Sequence, residues 1–433
     1  MTFSQKSPFQ LPLLQNAREW LIVLGVLLCV GILSLCMKYA QYQHFKAKKP
    51  ISVYAQVRLQ YAKVDSQGRA YFVLKLQDQH GNVLYTTSKE KIKDLSYAFV
   101  RAYGKMSPCS FVKFLKACYF QTFYLALEPT RDYKDFLRAH LNAQHTDSRM
   151  GNFYNTLFLA DPLDKPTREL STKLGISHII AISGFHLGIL GAFFYALLFL
   201  FYRPLQQRLF PYRNAHYDLS AGVFVLLFGY LVLLDFQPSF LRAFVMALIG
   251  FGLYYNALQV LNFSLLLLAI CLCCAFSPGL LGQVGFLLSV CGVFYIYLFL
   301  KYTPKMPAPL YALLLNLIVF LHMLPIVHVF FTPFSLYQLT SIPLSFVFVI
   351  FFPLSLFLHA LGWGGFADPY LLQALEWQIP SIDYTTPLWG LVLYASLSLC
   401  ALRYVYAYWG VHALSLGLFG MLTWRYLQVV HGF

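Results

Sequence analysis

The residues best placed to do chemistry lie between Gly175 and Gly191, in the run G-I-S-H-I-I-A-I-S-G-F-H-L-G-I-L-G. His178, Ser183 and His186 stand there in an otherwise apolar stretch. A serine with two histidines raises nucleophilic catalysis, which needs a base that can reach the hydroxyl and a third group to orient that base. The periodicity predicts one helix entering a membrane, and Ser183 and His186 are three positions apart on it with no carboxylate following nearby. That arrangement is too cramped for a nucleophile and its base. Metal ligation is poor as well, because the helical rise puts His178 and His186 about 12 Å apart. No catalytic residue, metal ligand or cofactor is therefore assigned, and the chain is not read as an enzyme. At about 100° per residue, the two histidines and the serine share one side of the helix, and Gly184, Gly188 and Gly191 share the other. Polar groups facing lipid are costly, so His178, Ser183 and His186 are expected to line or structure a pore, with satisfied interhelical hydrogen bonds as the alternative. Gly184-x-x-x-Gly188 would let a neighbouring helix approach closely.

Two further groups of residues carry chemistry. Arg242 sits inside an apolar stretch, close to Asp235 across the Gln237-Pro238 turn. It could meet passing phosphates or pair with Asp235 to fix a helix corner. Upstream, aromatic and basic residues interleave: Tyr54, Arg58, Tyr61, Lys63, Tyr71, Lys75, Tyr85, Lys89, Lys91 and Lys93. Proteins that hold single strands combine a basic groove with rings on which bases stack, so Arg58, Tyr61, Lys63, Lys75, Lys89, Lys91 and Lys93 are candidate DNA contacts. The competing reading is a basic strand surface with aromatics in its core. Cys109 and Cys118 are the cysteines outside the apolar stretches, and in an oxidising compartment they can form a disulfide.

The elements that must position these residues follow from composition. The chain has 433 residues, 59% hydrophobic, 18% aromatic and 11% charged. Soluble domains carry about 25% charged residues, and a span of about 20 apolar residues crosses a bilayer. The expected fold class is mostly α: a polytopic α-helical membrane protein of nine to ten apolar segments, some re-entrant or broken, with a small N-terminal periplasmic β domain. Residues 1–178 hold 24 Lys and Arg against 12 Asp and Glu, so most of the net charge of +15 sits there. A basic face suggests nucleic acid or anionic lipid, or no more than the positive-inside rule.

Residues 1–19 read as a cytoplasmic tail and 20–37 as an uncleaved first transmembrane helix, since no A-x-A cleavage site follows. In 51–130, VYAQVRLQYAKV, AYFVLKLQD and NVLYTTS alternate apolar with polar residues between Gly68 and Gly81-Asn82, the mark of half-buried strands in a small barrel or sheet. Residues 131–178 form a connector with an amphipathic helix at 131–145, closed by Pro162 and Pro166. Residues 179–433 are the polytopic domain, with apolar runs at 179–202, 217–235, 239–255, 263–276, 284–302, 310–331, 335–361, 388–409 and 411–430. Pro325, Pro333, Pro343 and Pro353 cluster within it, and broken helices often mark a transport path. Arg203, Arg208 and Arg213, then Lys301 and Lys305, place their loops in the cytoplasm and residues 38–178 in the periplasm. The loop 362–386 has acidic residues and no Lys or Arg, which looks external although simple alternation puts it inside. One late stretch is therefore expected to be re-entrant or split.

The motif segment also resembles a known family. G-x-x-H178-I-I-A-I-S-G-F-H186 is similar to the G-x-x-H-L-L-A-I-S-G-L-H motif of the ComEC-type competence proteins, whose core forms the inner-membrane DNA channel of natural transformation. Ser239-Phe-Leu-Arg242-Ala243 resembles that family's S-x-x-R-A. Ser277-Pro278 and Gly285-Phe-Leu-Leu-Ser289 resemble its S-P and G-F-Q-L-S elements, with Leu287 for Gln. Leu159-Ala160-Asp161 falls where the family tends to have a Gly-Asp pair. Ser335 to Pro343 matches a later family stretch only loosely. The resemblance implies that Ser289 joins the channel residues, and that 51–130 is the family's OB-like domain. The metallo-β-lactamase-like domain of many members, with its H-x-H-x-D-H motif, has no counterpart in this sequence, so degradation of the second strand is not expected of it. Nor is there a G-x-x-x-x-G-K-[ST] phosphate loop, so energy must come from elsewhere. The expected partners are single-stranded DNA, membrane lipid, a periplasmic DNA receptor, and a cytoplasmic motor or single-strand-binding protein, with a homodimer as a further option. The location expected is the bacterial inner membrane. The alternative is a secondary transporter or exporter of a small anion or polysaccharide, which would need coupling carboxylates within the spans, where Asp235 is the sole candidate.

Overall fold

A computed structural model describes residues 16–46, 49–89, 93–130, 132–255, 263–304 and 306–431. Lys91 and most of the 1–19 tail lie outside the described residues. The chain divides into two compact units, one of Asn16–Ala139 with Cys271–Gln283, the other of His140–Ile270 with Val284–Phe433.

The first unit opens with helix α1 (Ala17–Lys46), followed by strands β1 (Ile51–Val64), β2 (Ala70–Asp78), β3 (Val83–Ser88) and β4 (Phe99–Met106), the short helix α2 (Phe111–Phe114) and β5 (Cys118–Leu127). The strands close into a barrel in the order β1-β2-β3-β5-β4, with β3 and β5 parallel and the other pairs antiparallel. Strict alternation explains why: Val53, Ala55 and Val57 on β1, Leu74 and Leu76 on β2, and Val100 and Ala102 on β4 all point into one core, as the two-residue period of a strand requires. At 30 residues, α1 is about 45 Å long, more than a bilayer core needs. Its last turns enter the barrel, where Tyr42 and Phe45 join the core and the Tyr42 hydroxyl donates to the Cys109 carbonyl at 2.7 Å. Cys109 and Cys118 are bonded, with Cα atoms 6.2 Å apart. Helix α3 (Asp135–Asn142) is shorter than the 131–145 helix expected from sequence. Its Arg138 is buried against Asp132 at 2.8 Å, and Asp132 also accepts from Gln56 Nε2 at 2.9 Å.

The chain continues with α4 (Ser148–Leu159), α5 (Lys165–Lys173), α6 (Ser177–Ile180), α7 (Gly184–Leu209), α8 (Ala215–Leu233), α9 (Pro238–Tyr255), α10 (Phe263–Phe276), α11 (Val284–Tyr302), α12 (Ala308–Val327), β6 (Pro333–Phe334), α13 (Ser341–Ala360), α14 (Asp368–Leu375), β7 (Ile382–Asp383), α15 (Leu388–Cys400) and α16 (Val405–His431). Among the described residues of the whole chain, seven helices are long and apolar enough to cross a membrane, and three apolar ones are shorter. Two sequence expectations need correction. The 388–409 run is not one span: it ends at Cys400 and a turn leads into α16. Pro166 does not break the chain but stands in the first turn of α5, capped by the Asp164 side chain, where proline's missing N–H costs nothing.

Helix α13 lies between two paired strands, and with the residues leading into it is one of the seven helices long enough to cross. Strands β6 and β7 pair antiparallel, and the pairing is extended by Tyr384 N–H donating to Thr332 O at 2.9 Å and Thr386 N–H to His328 O at 3.0 Å. The chain thus leaves at Phe334, runs through α13 and α14, and returns beside its point of departure. One side of α13 is buried, along Ser341, Ser345, Phe348, Phe352, Ser355 and His359.

Candidate functional site

The stretch 175–191 is not a single helix. Helix α6 ends at Ile180, residues 181–183 are extended, and α7 begins at Gly184. Ser183 is the cause. Its hydroxyl accepts from the Phe185 N–H at 3.3 Å, and His186 Nδ1 accepts from the Ser183 N–H at 3.3 Å. The two side chains form a capping box, with histidine in the role usually taken by Glu or Gln. The wheel angles drawn for one continuous helix therefore do not hold.

Each motif residue has a definite place. Gly175 has φ +70°, and a Cβ there would lie 2.9 Å from the Gln338 carbonyl oxygen. Glycine is required on both counts. Gln338 holds the same turn by donating to Thr172 O at 3.2 Å and Pro333 O at 2.9 Å. His178 is exposed, and its Nδ1 donates to the Gly175 carbonyl at 2.9 Å. His186 is buried, with Phe348 and Phe352 of α13 edge-on to its ring at 5.1 and 4.8 Å. Its Nε2 has no hydrogen-bond partner among the described residues. Gly184 makes the close approach, since a Cβ there would sit 3.1 Å from Ala243 Cβ and 3.8 Å from Arg242 Nη2. Gly188 faces open space, and Gly191 has only an ordinary contact with Leu227.

Three stretches far apart in sequence meet at Gly184. Ser239 Oγ donates to Ile182 O at 2.6 Å, which docks the start of α9 onto the extended link between α6 and α7. Arg242, one turn on, is 2% exposed and donates to the Ser289 hydroxyl of α11, with Met246 Sδ at 3.1 Å. Guanidinium is expensive to bury at membrane depth, so its bond to Ser289 ties α9 to α11 in one geometry. Upstream, Ala160 caps α4 in the left-handed conformation at φ +60°, a shape that favours glycine.

The barrel unit carries the second candidate site. Residues opposite each other across a ladder share a face. Leu59 pairs with Lys75 and Lys75 with Tyr85, which pairs with Tyr119; Tyr61 pairs with Val73 and Val73 with Thr87; Lys63 pairs with Tyr71. Tyr61, Lys63, Tyr71, Lys75 and Tyr85 therefore lie together on the outer face, because Leu74, Leu76 and Leu84 fill the inner one. Lys63 Nζ is 5.7 Å from the centre of the Tyr61 ring. Burial, and after it the neighbouring Tyr61, raises the Tyr85 hydroxyl above its ordinary pKa. Arg58 reaches the same face and donates to Gln77 Oε1 at 2.8 Å. Lys89 and Lys93 are exposed at the following loop, which Gln60 Oε1 fixes by accepting from the Leu95 N–H at 2.9 Å. Sequence reasoning missed Tyr103, Tyr119, Phe123 and Tyr124, all exposed on β4 and β5. The alternation in FVRAYGKM and CYFQTFYLAL was the signal that could have found them.

Comparison with known proteins gives a family match, a competence protein, over residues 160–427. The chain is also 30% identical over 283 residues to an uncharacterised protein of Mycoplasma pneumoniae, described as a homologue of MG316, an alignment covering 64% of this chain and 67% of that one. No solved structure matches.

Proposed function

The chain belongs to the competence protein family, and from that premise we propose that this multi-pass membrane protein is the channel through which single-stranded DNA enters the cytoplasm. A role in DNA uptake goes with the family; passage of one strand through this chain is the further step. The observation that carries it is the outer face of the barrel. Five-stranded barrels of the OB type bind oligonucleotides or oligosaccharides on the face of strands 2 and 3, and there the basic and aromatic Tyr71, Lys75 and Tyr85 stand beside Tyr61 and Lys63, which suits a nucleic acid. Each stacked base contributes about 1–3 kcal/mol, and each lysine that neutralises a phosphate releases counterions.

In this reading the barrel faces the periplasm and collects the strand. The strand then passes a path bounded by α7 and the broken segment from Pro325 to Pro353. His178, Ser183, His186, Arg242 and Ser289 shape that path, His186 by holding the start of α7 and Arg242 by holding α9 to α11. A charged backbone cannot cross lipid without such a path. Direction comes from partners, a receptor outside and a motor or single-strand-binding protein inside.

The test uses the full chain in detergent with a labelled single strand. Changing Lys63, Lys75 and Lys89 together to Gln is expected to flatten the slope of log affinity against log salt by about 2, at about 0.7 per lost phosphate contact. An unchanged slope removes this face from the reading. Normal arrival of labelled DNA in the cytoplasm of cells lacking the chain removes the channel itself.

A further inference from the structure

A second set of ionisable side chains lies in the larger unit, away from the motif junction. His145 precedes α4, His359 is in the last turn of α13, and Asp368 begins α14. His145 Nδ1 faces both carboxylate oxygens of Asp368, at 3.1 and 2.9 Å. His359 Nδ1 lies 2.6 Å from the Ser355 carbonyl oxygen. Both partners only accept, so both rings carry their hydrogen on Nδ1 and present a lone pair at Nε2. Those two Nε2 atoms face each other at 3.2 Å. The His145 side chain is 1% exposed, so bulk water does not relieve the repulsion, which a proton or a metal ion held between the two nitrogens would remove.

Two ligands of one tetrahedral metal ion, each bonded at about 2.0–2.1 Å, lie about 3.3 Å apart, and the 3.2 Å separation fits that spacing. A proton held by one ring gives a hydrogen bond of similar length, so the surroundings argue for the metal. Histidines that bind metal usually donate the other ring N–H to a carboxylate or a backbone carbonyl, and here one ring does each. Gly364 leaves the flank clear, since a Cβ there would come within 2.5 Å of His359 Nε2 and 2.6 Å of Gln144 Oε1. Around the pair also lie His140 and Gln144, whose Nε2 atoms each donate to the His359 carbonyl at 3.0 Å, Tyr154, whose ring stacks on His145 at 4.8 Å, and Phe158, edge-on to His359 at 5.1 Å.

We propose that His145 and His359 ligate a divalent transition-metal ion of the zinc class, with Asp368 orienting His145 from outside the coordination shell. Among the described residues no three His, Cys, Asp or Glu side chains gather as a ligand set, so water completes the coordination. Zinc suits imidazole, and two protein ligands leave open positions. The ion clamps the end of α13 to the segment before α4. The start of α13 is already held by Gln338 against Thr172 and Gly175, so the helix that packs on His186 is fixed at both ends. None of this rests on the DNA reading.

The test is metal binding by the full chain in detergent, stripped with chelator and titrated with Zn2+ or Co2+. One equivalent is expected, with the visible absorption of tetrahedral Co2+ and a rise in melting temperature. His145→Ala and His359→Ala are expected to abolish all three. Asp368→Asn keeps both ligands and is expected to weaken binding 10- to 100-fold, which preserves the test should the histidine variants fold poorly. Equal zinc binding by the wild type and all three variants overturns the proposal. So does a melting temperature that responds to acid and not to zinc, which would identify a shared proton instead.

Discussion

The barrel and the membrane unit are built on opposite terms. In the barrel, water lies on one side of every strand and the core on the other, so alternation states which residue goes where. In the membrane unit the exterior is as apolar as the interior, and hydrophobicity no longer distinguishes them. Position there is set by scarce polar anchors: Ser239 on Ile182, Arg242 on Ser289, Gln338 on Thr172, and the Ser183–His186 capping box. A barrel of this kind can lose a surface residue and keep its shape, whereas one serine in the membrane unit can set the angle of a helix.

That contrast is sharpest where the barrel itself depends on a buried polar contact. Asp132→Ala would take from the buried Arg138 its buried carboxylate partner, leaving the half-exposed Asp135 at 3.0 Å and the Tyr97 ring at 3.8 Å among its contacts. Breaking buried pairs costs about 3–5 kcal/mol, and because Asp135 remains, about 3 kcal/mol is expected, read as a fall in thermal or denaturant stability. A loss under about 1 kcal/mol would mean that alternation alone holds this unit. Next in size is Gly184→Val in the membrane unit, where the added atoms meet Ala243 and Arg242. Overpacking of this kind costs about 1–3 kcal/mol, and uptake is expected to fall with it. Gly188→Ala, facing open space, is the control and is expected to leave both unchanged. Equal effects at the two glycines would erase the distinction between anchored and unanchored positions on α7. The smallest effect is Ala160→Gly. Relief of a left-handed alanine at φ +60° is expected to stabilise the protein by about 1 kcal/mol, seen as a higher melting temperature. A loss of stability would show that the α4 cap is held by something other than its backbone shape.

Legibility follows the same division. Strands β1, β2 and β3 were readable nearly to the residue from 53–64, 70–78 and 82–88, because their apolar residues recur every second position. Most long apolar helices were readable from run length. The break at 181–183 was not, because the apolar run hid the turn signal of Ser183-Gly184, and the break is held by the bond between Ser183 and a side chain three residues on and by Ser239 on Ile182. The end of α15 at Cys400 was hidden likewise within an apolar run.

By itself the sequence determined the membrane class, the basic alternating domain, the places of most helices and the three motif stretches, because burial pattern and span length are local properties. Only the tertiary structure decided that Gly184, Ser239, Arg242 and Ser289 meet, that the chain returns through β7 to pair with β6, and that His145 faces His359 across 214 positions. Such contacts depend on how helices cross, and in an apolar surrounding no periodicity records which helix a polar side chain will find.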